Sequence, residues 1–102
     1  MRYLFMAIHY PKPEYRNDLL RWIQRVGAAL RAQPGLRELG DFDDRANGRI
    51  LAVSIWESAE HFRAGRERAF ASLGEEAPYD LWESRPLEVY TLEEIEETES
   101  AS

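Results

Sequence analysis

The chain has 102 residues, 44% of them hydrophobic, and a formal net charge of −6 with a pI near 4.9. A chain of this length builds only a modest core, and an acidic chain without a basic stripe argues against a nucleic-acid partner and against binding to a membrane surface. Cysteine is absent, so disulfides, thiolate metal ligands and thiol nucleophiles are excluded. No apolar run approaches the roughly 20 residues of a membrane span, and a cytoplasmic location is the default expectation.

Tyr3 to Ile8 is an apolar run that ends at His9 without a small-residue cleavage pattern, which predicts a first strand rather than a signal peptide. Pro11 cannot continue a ladder, whereas Pro13 and Glu14 suit a helix start. The helix is predicted to run to about Ala32, because Tyr15, Leu19, Trp22, Ile23, Val26 and Leu30 recur at intervals of three and four on one stripe. Gln33-Pro34-Gly35 stops it. A second strand over Leu36 to Asp43 is followed by Asn47-Gly48, a pair suited to a two-residue type I′ turn, so the third strand, Ile50 to Trp56, should pair with it antiparallel.

Ser58 is a good N-cap for a second helix with an inner stripe of Phe62, Ala69, Phe70 and Leu73 and an end at Gly74. Gly65 interrupts that helix at a cost of about 1 kcal/mol against alanine, which calls for close packing or for space left to something else. Glu75 to Ser84 is expected to be a loop carrying Tyr79 and Trp82. A last strand runs from Leu87 to about Leu92. The order strand, helix, strand, strand, helix, strand is the ferredoxin-like plan of an α+β protein with a four-stranded antiparallel sheet.

Strands one and three are apolar at nearly every position, so both sheet faces should be covered. Two helices cover one face, and the expected cover for the other is a second copy of the sheet, making a homodimer. Alternation splits the side chains into two sets. Leu4, Met6, Ile8, Leu51, Val53, Ile55, Leu87 and Val89 form an aliphatic set expected to pack against the helices. Tyr3, Phe5, Ala7, His9, Ala52, Ser54, Trp56, Glu88 and Tyr90 form a mixed set with the character of a dimer interface or a ligand cavity.

The segment from Ile50 through Trp56-Glu57-Ser58 to Phe62 resembles the signature of the antibiotic biosynthesis monooxygenase family, in which a third strand ends in tryptophan and an acidic residue before a capped helix. The resemblance covers about residues 2 to 95. It implies one domain over 1–95, two sheets packed into a dimeric α/β barrel, and a pocket between each subunit's sheet and helices. Residues 96–102 are expected to be an acidic flexible tail. The family includes monooxygenases that oxidise phenolic or quinol substrates with molecular oxygen and no bound cofactor, and haem-degrading enzymes. Trp56 and Glu57 match the family pattern, while Ser54 stands where many members have glutamate. Gly65 replaces the histidine or tryptophan found there in other members. The lack of a histidine near Gly74 and of an asparagine in the first strand argues against haem degradation.

The expected activity is cofactor-independent oxidation of a small phenolic, quinol or polycyclic aromatic compound. His9 is the expected proton acceptor, because histidine exchanges protons near neutral pH. Trp22 and Trp56 are expected to wall the substrate, and Ser54 or Tyr90 to donate hydrogen bonds to its oxygen. No metal site is expected: Glu57 and His61 lack a third ligand on their helical face, and Asp41, Asp43 and Asp44 lack calcium-loop spacing. The alternative expectation is a non-catalytic dimer that binds a small ligand or a protein partner.

Overall fold

The computed structural model describes residues 1–96; residues 97–102, and with them nearly all of the expected tail, lie outside the described residues. The chain runs through β1 (Tyr3–His9), α1 (Arg16–Arg31), β2 (Leu36–Asp44), β3 (Arg49–Trp56), α2 (Ala59–Leu73), α3 (Tyr79–Trp82) and β4 (Glu88–Glu93). The strands form one antiparallel sheet in the order β2-β3-β1-β4, the ferredoxin-like order. The expected fold class is therefore observed, with two differences in its connections. Tyr79–Trp82 forms a short helix where a loop was expected. The β2–β3 connection is not a two-residue type I′ turn, since Asn47 does not adopt positive φ and Arg45–Asn47 forms a 3-10 turn closed by Gly48 at φ 63°. The cause is Asp44, whose carboxylate accepts from the Asn47 amide at 3.0 Å and from Arg49 Nε at 2.7 Å and so clasps a wider loop.

The ends of α2 follow the local chemistry of its sequence. Ser58 Oγ accepts the His61 N–H at 3.1 Å, and Gly74, at φ 67°, closes the last turn in a conformation that side chains resist. α1 and α2 lie side by side over one face of the sheet, with Leu19, Ile23 and Ile50 at the centre of the core.

The sheet faces are the reverse of the sequence expectation on β1 and β3. Tyr3, Phe5, Ala7 and His9 pair with Trp56, Ser54, Ala52 and Ile50 and lie under the helices. Phe62 of α2 stacks on Phe5 with ring centroids 4.9 Å apart and meets Trp56 edge-on at 5.9 Å. Leu4, Met6, Ile8, Leu51, Val53 and Ile55 therefore point to the other, uncovered face. On β4 the pairing of Val89 with Ala7 puts Leu87 and Val89 on the helix side, as expected, and Glu88 and Tyr90 on the uncovered one. The reason is the shape of the helices, which present Gly27 and Gly65 to the sheet. Small residues there leave room for rings beneath them. Trp56 takes up that room at Gly65, where an added Cβ would come within 2.6 Å of the indole.

Candidate functional site

Between the sheet and the helices lies a half-open cavity of about 160 Å³. Its floor is Ala7, Ala52 and Ser54, its roof Trp22, Val26 and Phe70, and its polar edge His9, Asp41, Arg66 and Tyr79. A cavity of roughly 150 Å³ lined by apolar side chains accommodates a benzene-sized molecule, so the space suits one aromatic ring.

The most constrained polar group on the wall is His9. Its side chain is buried, and its Nδ1 lies 2.8 Å from Oε2 of Glu83, which is buried as well. The second carboxylate oxygen, Oε1, accepts the Tyr10 N–H at 2.8 Å. Glu83 is itself fixed by the backbone, because Lys12 N–H donates to the Trp82 carbonyl at 2.8 Å and Ser84 N–H to the Tyr10 carbonyl at 2.9 Å. A carboxylate accepts only, so Nδ1 carries a proton in this pair, and in the neutral form of such a ring the lone pair lies on Nε2. Among the described residues Nε2 has no hydrogen-bond partner, yet no side-chain nitrogen or oxygen is both sealed and unpartnered. Nε2 is thus open on the cavity side.

Tyr79 stands beside His9, with ring centroids 5.7 Å apart, and its hydroxyl accepts the Trp22 indole N–H at 2.8 Å. Burial pushes the Tyr79 hydroxyl above its ordinary range and outweighs the opposing hydrogen bond from Trp22, so the group stays protonated. Ser54 is buried on the floor and its Oγ accepts the Trp56 indole N–H at 2.9 Å. At the edges, Arg66 lies 5.0 Å over the Phe70 ring. Partial burial raises the Asp41 carboxyl, against the charge of Arg31.

The structure brings His9, Trp22 and Ser54 to one cavity. Trp56 does not line it: the indole is fully buried against Gly65 and Phe62, and it supports the floor through Ser54. Tyr90 is a correction. It pairs with Met6 on the uncovered face, is exposed, and donates to Glu88 at 3.1 Å, so it cannot reach a ligand beside His9. Glu83, Tyr79, Asp41 and Arg66 were not anticipated. For Glu83 and Tyr79 the available signal was the segment Pro78 to Pro86, which places two aromatics and two acids where a plain connection needs neither. His61 lies on the surface against Ser58, and no group of three potential ligands among the described residues could hold a metal ion. No described helix is long and apolar enough to cross a membrane.

A four-stranded ferredoxin-like sheet roofed by two helices over an apolar cavity is the class of architecture defined here. The sequence matches no family model and no curated protein. Solved structures do match. Rv0793 from Mycobacterium tuberculosis superposes with a TM-score of 0.80 at 18% identity, over 95% of this chain and 98% of that one. An antibiotic biosynthesis monooxygenase superposes with a TM-score of 0.69 at 13% identity, over 92% and 99%. SnoaB, a cofactor-independent oxygenase from Streptomyces nogalater, superposes with a TM-score of 0.66 at 13% identity, over 93% and 94%. The fold is that of the antibiotic biosynthesis monooxygenase proteins.

Proposed function

We propose that the protein is a cofactor-independent monooxygenase for a small phenol or quinol, working as a homodimer. The observation that carries the reading is the buried His9–Glu83 pair, whose free Nε2 opens onto an apolar, ring-sized cavity. The structural likeness to SnoaB supports the same reaction class.

In this mechanism Nε2 of His9 takes the hydroxyl proton of the bound ring, and Glu83 stabilises the imidazolium that results. The anion is electron-rich and stands among apolar walls that limit access of water. It reacts with dioxygen so that one oxygen atom joins ring carbon and the other leaves as water. A quinol supplies the electrons itself and ends as a hydroxyquinone, so no separate reductant is consumed. Ser54 faces the ring from the floor, and Trp22 forms part of the roof.

The homodimer reading rests on the uncovered face. Leu4, Met6, Leu51, Val53 and Ile55 lie there beside exposed Phe42, Tyr90 and Leu92, an apolar surface of the kind that proteins cover. A second sheet of the same kind is the complementary cover.

The test is dioxygen consumption with 1,4-hydroquinone under isotopically heavy oxygen. The expected result is uptake above autoxidation, one heavy atom in the product, and a loss of about 10²- to 10⁴-fold in His9→Gln. Uptake no faster than autoxidation, or unchanged in the folded variant, refutes the reading.

A further inference from the structure

We infer that Tyr79 is a second group on the substrate oxygen: its hydroxyl proton, left unspent by the Trp22 hydrogen bond, is donated to the oxygen that His9 deprotonates. This rests on the proposed phenol-binding cavity and assigns its anion-stabilising group.

The assignment follows from counting protons. An indole N–H only donates, so in the 2.8 Å contact the Tyr79 oxygen must be the acceptor. A phenolic hydroxyl has one proton to give, and no described residue accepts it. The nearby acid, Glu83, is already committed through one oxygen to His9 and through the other to the Tyr10 N–H. Tyr79 and His9 line the same cavity with their rings 5.7 Å apart. One ligand oxygen between them would give its proton to Nε2 and receive the Tyr79 hydrogen bond. As negative charge develops on that oxygen the bond becomes charge-assisted, so it favours the ionised ligand over the neutral one. Burial keeps the proton on Tyr79 while this happens.

Trp22 then has a role beyond forming the roof. Its N–H occupies the acceptor side of Tyr79 and turns the hydroxyl proton away from α1, which makes Trp22 a positioning residue. The hydroxyl comes from α3, the short helix between Pro78 and Glu83 that the same backbone hydrogen bonds hold against the end of β1. Base and donor thus arrive from two segments, β1 and α3, that these backbone hydrogen bonds tie together.

The experiment uses two dyes of matched shape, 4-nitrophenolate and its uncharged methyl ether 4-nitroanisole, with dissociation constants read from absorbance and tryptophan fluorescence. In Tyr79→Phe the expected result is binding of 4-nitrophenolate weakened by about tenfold to a hundredfold, the worth of a hydrogen bond to a charged group, with 4-nitroanisole unchanged. Trp22→Phe should weaken 4-nitrophenolate in the same direction by less. Unchanged 4-nitrophenolate affinity in Tyr79→Phe, or an equal loss for both dyes, overturns the assignment. Wild-type protein that binds neither dye overturns it together with the cavity reading. Wild-type protein that prefers the anion through Tyr79 but consumes no dioxygen refutes the oxygenase and leaves Tyr79 standing as a ligand-binding group.

Discussion

Replacing Gly65 by alanine should destabilise the protein although alanine is the better helix former. The added methyl would sit 2.6 Å and 2.8 Å from two carbons of the Trp56 ring and 3.2 Å from Gln33 Cβ, inside the 3.4 Å at which ordinary contact begins. The ring has little room to retreat, being fully buried, packed edge-on against Phe62 and tied to Ser54 through its N–H. Overpacking of this kind costs about 1–3 kcal/mol, and the upper half of that range applies where the obstacle is rigid. The gain in helix propensity returns about 1 kcal/mol. The net loss is then about 1–2 kcal/mol, a fall in midpoint temperature of roughly 4–16 °C for a domain of this size. Urea unfolding followed by tryptophan fluorescence, at one fixed protein concentration, measures it. The decisive comparison is a double-mutant cycle with Trp56→Phe, which removes the two ring carbons that clash. In that background Gly65→Ala should be neutral or stabilising by up to about 1 kcal/mol. An equal penalty in both backgrounds would refute the account of Gly65 as the seat of the indole.

On the uncovered face, Met6→Asp should convert a dimer to a monomer in sedimentation velocity without unfolding it, because Met6 lies between Val53 and Tyr90 and is only partly buried in the single chain; a monomeric wild type would remove the dimer from the proposal. Glu83→Ala should cost about 2–6 kcal/mol, since it strands two buried donors, the His9 Nδ1–H and the Tyr10 N–H, at about 1–3 kcal/mol each, whereas Glu83→Gln keeps an acceptor for Tyr10 and should cost less; a Glu83→Ala protein as stable in urea as the wild type would show that the pair contributes nothing. The pH dependence has two limbs. Hydrogen bonds from Tyr10 to Glu88, from Arg49 to Asp44 and from Arg2 to Glu94 hold these exposed carboxyls below their ordinary values, so the native state binds fewer protons than the unfolded one and stability falls as pH drops from about 4. Tyr79 is raised by burial and Tyr90 by its bond to Glu88. Stability should therefore also fall as pH climbs above about 10, and Tyr79→Phe should flatten that alkaline limb in urea titrations.

Much of the fold could be read from residues that act locally. Ser58 and Gly74 bound α2 because one side chain and one positive φ suffice for each end, and the stripe on α1 depends only on helical spacing. The β2–β3 turn was misjudged because a side chain outside the Asn47-Gly48 pair, Asp44, decided it. The faces of β1 and β3 were inverted for a different reason. Period-two alternation sorts side chains into two sets but does not say which set lies under the helices, and here both sets are apolar. That His9, Trp22 and Ser54 would share one cavity was legible because their side chains combine apolar burial with a polar tip. Glu83 was not, because its role depends on a contact across 74 residues of sequence. Tyr90 was misplaced with the mixed set of β1 by a pairing register that only the folded sheet fixes.

The information that selects the helix side was nonetheless present, in the small residues rather than the large ones. Gly65 and Gly27 on the helices, and Ala7 opposite Ala52 on the sheet, lie on facing surfaces. At Gly65 a large partner, Trp56, takes up the vacancy, and that end of the layer is packed rings. Around Ala7 and Ala52 the vacancy stays open, and the cavity lies there, between the ring cluster on one side and His9 with Glu83 on the other. Aliphatic residues in the same places would have closed the layer, since interiors otherwise pack to crystal density. The ring cluster and the buried acid–imidazole pair act as rigid abutments that stop the helix from settling onto the two alanines. The wall that carries His9 and Glu83 is thus also one of the walls that keep the cavity open.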